Sequence, residues 1–126
     1  MCVRSGRILL ISLLLIAGCS QAEESVDGEQ SDRMLSALTT ALDAWKNATP
    51  TTLASREQPI RFVDDDLAAG RKLLAYQLDD PDSAIVPFEN VFVILMLQTA
   101  DGKTIERKVG YQVSLTPAVA VLRSEP

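Results

Sequence analysis

The stretch Val91-Phe92-Val93-Ile94-Leu95-Met96-Leu97-Gln98-Thr99, followed by Ala100-Asp101-Gly102-Lys103 and then Thr104-Ile105-Glu106-Arg107-Lys108-Val109-Gly110-Tyr111-Gln112-Val113-Ser114-Leu115, decides the fold. Its first run is apolar on every residue from Val91 to Leu97. Its second alternates at period two, the signature of a strand with one buried face. Ile105, Val109, Tyr111, Val113 and Leu115 share the apolar side, with Arg107 as the exception. Asp101-Gly102 between the runs is a hairpin signal, because a two-residue type I′ turn needs positive φ at both central positions. That turn sets Ala100 opposite Lys103, Ile94 opposite Val109 and Phe92 opposite Tyr111 as core pairs. Val93, Leu95 and Leu97 then fall on the opposite face, an apolar row left without a cover, and they are the candidate interaction surface.

Upstream, Met34, Leu35, Leu38, Ala41, Leu42 and Trp45 recur at the 3.6-residue period of an amphipathic helix over 31–48, stopped by Pro50. Thr51 to Ser55 reads as a helical turn and Ile60 to Val63 as a short strand. Asp64-Asp65-Asp66 precede Leu67-Ala68-Ala69-Gly70, which predicts one capped turn of helix closed at Gly70. Residues 71–79 read two ways: as a strand Leu74, Tyr76 and Leu78 would share a face, as a helix Leu67, Arg71, Leu74, Ala75 and Leu78 would, and the strand length between Gly70 and the Asp80-Pro81-Asp82-Ser83 turn favours the strand. After Pro117, Val119 and Val121 share one face of a last strand. The expected fold class is α+β: one N-terminal amphipathic helix on a curved antiparallel sheet of about four strands, a single domain over 31–126. Trp45, Tyr76 and Tyr111 lie in apolar stripes and read as core.

The chemistry the sequence advertises is sparse. There is no histidine among the 126 residues, which removes the commonest general base and zinc ligand. No nucleophile elbow, phosphate-binding glycine loop or paired-cysteine metal site is present. Asp64, Asp65 and Asp66 are the sharpest polar feature. A hard-cation site or a carboxylate pair for acid–base work would use them, with Asp79, Asp80 and Asp82 joining if the segments met. Calcium loops, however, alternate their ligands over about twelve residues around a central glycine, and consecutive aspartates point in different directions. We read the run as a solvated helix cap, with no catalytic residue, no metal and no cofactor assigned.

Residues 1–18 have the three parts of a secretory signal. Arg4 and Arg7 give the positive start, Ile8 to Ile16 the apolar run, and Ala17-Gly18 the small residues before Cys19. The 11 residues from Ile8 to Gly18 fall short of a bilayer span, which needs about 20. Leu15-Ile16-Ala17-Gly18-Cys19 resembles the lipobox of bacterial lipoproteins. The resemblance implies cleavage between Gly18 and Cys19, acylation of Cys19 with chains such as palmitate, and a domain held on a bilayer without spanning it. Ser20 lacks the aspartate that marks inner-membrane retention in some bacteria, which points to the outer membrane, periplasm-facing or at the cell surface. Polar residues 20–30 then read as a flexible tether spanning roughly 15–20 Å, so that 19–30 links anchor to domain.

Loss of Arg4 and Arg7 with the leader would take the formal charge from −5 to −7. So acidic a domain lacks the basic surface that nucleic acid requires. With Cys2 in the leader, Cys19 is the only cysteine left, and no intrachain disulfide is expected.

The spacing of Asp65, Gly70, Leu73 and Tyr76, with Val109-Gly110-Tyr111-Gln112-Val113, Pro117, Val121 and Arg123, is similar to small lipoproteins of planctomycete-type bacteria. That similarity carries no activity. A helix followed by a curved sheet also resembles the cystatin and nuclear-transport-factor-2-like folds, which host binders and enzymes alike. The expected function is a membrane-anchored envelope module that binds a protein partner or a second copy. An envelope enzyme or cation binder using Asp64–Asp66 and a purely structural envelope protein are the alternatives.

Overall fold

The structure is a computed structural model and describes residues 19–124, with side chains described for 28–124. In chain order it contains α1 (Cys19–Lys46), α2 (Thr52–Ser55), β1 (Ile60–Val63), α3 (Asp65–Ala68), β2 (Lys72–Leu78), β3 (Val91–Gln98), β4 (Thr104–Ser114) and β5 (Val119–Ser124). The α+β class holds, and the sheet differs from expectation. It has five strands in the order β1-β5-β4-β3-β2 and is mixed. Strands β2 to β5 pair antiparallel with their neighbours, but β1 runs parallel to β5, Ile60 beside Val119 and Val63 beside Leu122. No hairpin joins β1 to its partner. Three intervening strands separate the two in sequence, so no tight turn forces them to run opposite.

Helix α1 touches β1, β2, β4 and β5 and so covers one face of the sheet. Met34, Leu38, Ala41, Leu42 and Trp45 are buried, as the stripe predicts, and Ala37 and Ala44 join them. Leu53, Ile60, Leu73, Ile85, Val109, Tyr111, Val113 and Val121 complete the core from the other elements. The helix ends at Lys46 in a Schellman arrangement: Thr49 N–H reaches the Ala44 carbonyl at 2.8 Å and Ala48 N–H the Trp45 carbonyl at 3.0 Å. Ala48 takes the left-handed conformation at φ 60° that glycine usually fills there.

Two boundaries move. The segment expected as a coiled tether is helical from Cys19. Gln21, Ala22, Glu23, Glu24, Glu29 and Gln30 favour helix, and a helix already nucleated by its packed part extends one residue at a time without a new nucleus. Residues 28–30 are exposed, so this extension packs on nothing there. Among the described residues no helix is long and apolar enough to cross a membrane.

The hairpin is the second correction. Thr99 N–H donates to the Lys103 carbonyl at 2.9 Å and Gly102 N–H to the Thr99 carbonyl at 3.0 Å. The connection is therefore the three residues Ala100-Asp101-Gly102, a type I turn followed by Gly102 at φ 84°, and not a two-residue turn. Thr99 Oγ1 donates to the Asp101 carboxylate, which holds that exposed carboxyl below its ordinary range. One extra loop residue moves every pair by one. Val93 faces Val109, Leu95 faces Arg107 and Leu97 faces Ile105. The row expected outside is thus the core row. A bulge between Leu73 and Ala75 does the same kind of work in β2. Leu73 is buried and Leu74 exposed, yet Tyr76 and Leu78 still turn inward, because the bulge resets the alternation.

Candidate functional site

Asp64 caps α3 as its position predicts. Its Oδ1 accepts the backbone N–H of Asp66 at 2.7 Å and of Leu67 at 3.0 Å. The expectation of a solvated cap fails, because Asp64 and Asp66 are 3% and 1% exposed while Asp65 points to solvent. The cause is a set of partners far away in sequence. Arg123 Nη1 lies 3.2 Å from Asp64 Oδ1 and also donates to Asp66 Oδ2. Arg71 Nη1 donates to Asp66 Oδ1 at 2.8 Å, and Arg107 Nη1 stands 3.5 Å from the same oxygen. Tyr111 Oη donates to Asp64 Oδ2. A buried carboxylate is tolerated only when paired and hydrogen-bonded, and both of these are.

Electrostatics follow the geometry. Burial, reinforced by the neighbouring Asp64 charge, holds the Tyr111 phenol far above its ordinary range, so it stays a neutral donor. Burial alone would weaken the charge on Arg123, but the hydrogen bond to Asp66 and the charge of Asp64 outweigh it and raise its pKa. A cation site or a carboxylate pair for acid–base work would need oxygens free to take a metal or a proton. Here guanidinium groups and the Tyr111 hydroxyl already occupy them. Asp79, Asp80 and Asp82 do not join the cluster. Asp79 pairs with Lys108 at 3.0 Å. Asp80 and Asp82 line a cleft of about 430 Å³ between α1 and the 80–85 loop, which is tied down by Ile85 N–H donating to Ser31 Oγ at 2.9 Å. Among the described residues, no three His, Cys, Asp or Glu side chains gather into a metal cage.

The arginines are what sequence reading missed. Arg107 stood out as the charged residue in an apolar phase, and Arg123 follows Val119 and Val121 at the same period. An arginine in a core phase is a signal that an acid meets it inside. The aromatic residues fall where their stripes put them. Trp45 and Phe62 rings are 6.1 Å apart edge-on, and Phe62 is 6.1 Å from Tyr111. Trp45 Nε1 donates to the Arg71 carbonyl at 2.9 Å, which fixes the backbone beside the cluster. Tyr76 sits at the rim of the core face and donates to Asp43 at 2.7 Å; partial burial and that carboxylate push its pKa up to about 12.

The proposed interaction row needs correcting. Val93, Leu95 and Leu97 are all 0% exposed, buried by the chain itself on the α1 side, and offer no surface. The uncovered row is their neighbours Phe92, Ile94 and Met96. Ile94 and Met96 are half-buried and border a shallow depression of about 140 Å³ with Ala75, Gln77 and Glu106. Phe92 is 41% exposed and lies against Gly110, where a Cβ would come within 3.3 Å of its ring, and Lys108 Nζ stands 5.5 Å from the ring centroid. Cys19 opens α1, and Gly18 with the rest of the leader lies outside the described residues.

No family model, no curated protein and no solved structure matches this chain.

Proposed function

We propose that the chain is a lipid-anchored protein of the bacterial envelope that works as an interaction module. Acylated Cys19 tethers it to the bilayer, and the uncovered face of the sheet meets a protein partner or a second copy. The observation that carries this reading is the second apolar row of β3. Among the described residues no helix lies over Phe92, Ile94 and Met96, although α1 covers the other face. A strand apolar on both sides in a sheet with one helical layer leaves apolar area exposed to water, and such area favours contact with another surface. The lipobox-like Leu15-to-Cys19 stretch supplies the location.

Two measurements test it. Fractionation of cells making the full chain should place it with membranes, and Cys19→Ala should release it. A photo-crosslinking residue at Met96 should trap a neighbour, while the same residue at exposed Asp65 should not. Recovery of an unacylated, soluble parent would overturn the anchor. Equal crosslinking from both positions, or none from Met96, would overturn the interaction face.

A further inference from the structure

Three guanidinium groups meet two carboxylates in the buried cluster, and among the described residues the third, Arg107, shares its one carboxylate oxygen with Arg71. Asp64 is fully used by its cap bonds, Tyr111 and Arg123. Asp66 gives Oδ2 to Arg123 and Oδ1 to Arg71 at 2.8 Å. Arg123 and Arg71 already neutralise both acids. Arg107 reaches the same Oδ1 only at 3.5 Å, and among the described residues its guanidinium donates no hydrogen bond. It nevertheless occupies an inward phase of β4 opposite fully buried Leu95.

We propose that Arg71 and Arg107 together form a binding site for a small oxyanion, a carboxylate or phosphate group on a soluble ligand. Both Nη1 atoms lie within 3.5 Å of one oxygen, so the two forks are neighbours. Their side chains are 35% and 42% exposed, so both reach solvent while their Nη1 atoms face Asp66. Planar guanidinium forks match carboxylate and phosphate oxygens in pairs, and two adjacent forks suit a bridging anion. Asp66 is the positioning residue. Its single oxygen draws the two cations together, and the cluster keeps one net positive charge because Tyr111 stays neutral. Trp45 holds the Arg71 backbone in place through its indole N–H. The inference does not rest on the lipid anchor or on the open sheet face.

The test is an NMR titration of arginine Nε–H signals in the full chain with sodium phosphate and sodium acetate, against sodium chloride at matched ionic strength. Two arginine signals should shift saturably with phosphate or acetate and not with chloride. Arg107→Gln should weaken that binding about tenfold, the worth of one charge-assisted hydrogen bond, and Arg107→Lys should retain part of it. The absence of a saturable shift in the parent overturns the proposal, whether or not the variants fold. So does an equal response in parent and Arg107→Gln. A response of the Cys19→Ala chain to phosphatidylglycerol vesicles, with none to phosphate or acetate, overturns the assignment to a small soluble ligand.

Discussion

Strand β3 presents two rows that composition cannot tell apart. Val93, Leu95 and Leu97 are sealed under α1, while Phe92, Ile94 and Met96 on the other side remain partly in water. Full burial of one such side chain stabilises the fold by about 1.5–3 kcal/mol, so the inner row carries much of the fold and the outer row little. The outer row is managed locally. Phe92 folds down onto Gly110, Lys108 lies over the ring, and Asp79 holds Lys108 at 3.0 Å. Long side chains thus cover apolar area with their stems while their charges stay wet. The difference between the rows teaches that the layer above a sheet, not the hydrophobicity of a residue, decides what the residue contributes.

That comparison can be broken at its polar centre first. Arg123→Gln leaves buried Asp64 with no guanidinium and Asp66 with Arg71 and Arg107 on one oxygen only, and removing one partner of a buried ion pair costs about 3–5 kcal/mol; denaturant unfolding should show it. Next comes the direct contrast between rows. Leu95→Ala should cost about 2–5 kcal/mol, as large-to-small changes in a packed core do, whereas Ile94→Ala should cost less than about 1.5 kcal/mol. Equal losses at the two positions would mean that the outer row is also covered.

A smaller effect sits at the rim of the covered face. Tyr76 in the folded protein titrates at about 12 against the ordinary 10.0. The folded form therefore holds its proton where the unfolded chain has lost it. The stability Tyr76 contributes is complete below pH 10, declines as pH rises from there and is gone above about 12. Tyr76→Phe should flatten that part of the stability curve. Tyrosinate absorbance of the parent should stay low at pH 10, since Tyr111 is also held above its range. The smallest change is at the end of α1, where Ala48→Gly relieves a left-handed alanine and should stabilise the fold by roughly 0.5–1 kcal/mol in thermal unfolding. If it does not, the helix end is looser than its hydrogen bonds indicate.

What the sequence by itself determined was local. The α1 stripe, the Ile60–Val63 strand and the single turn capped by Asp64 and closed at Gly70 all depend on neighbours within a few residues, whereas 71–79 fitted strand and helix alike until β3 paired with it. What only the tertiary structure decided depends on partners far along the chain. A three-residue turn in place of a two-residue one exchanged the faces of β3, since period two turns a one-residue slip into an inversion. Strand β1 found a parallel partner that no local signal names. Asp64 and Asp66 became interior residues because Arg123, 57 residues beyond Asp66, reaches back to both. Local pattern shows that a residue is apolar or charged. Whether its face is covered, and by which counter-charge, is set by contacts that close only when the whole sheet has formed.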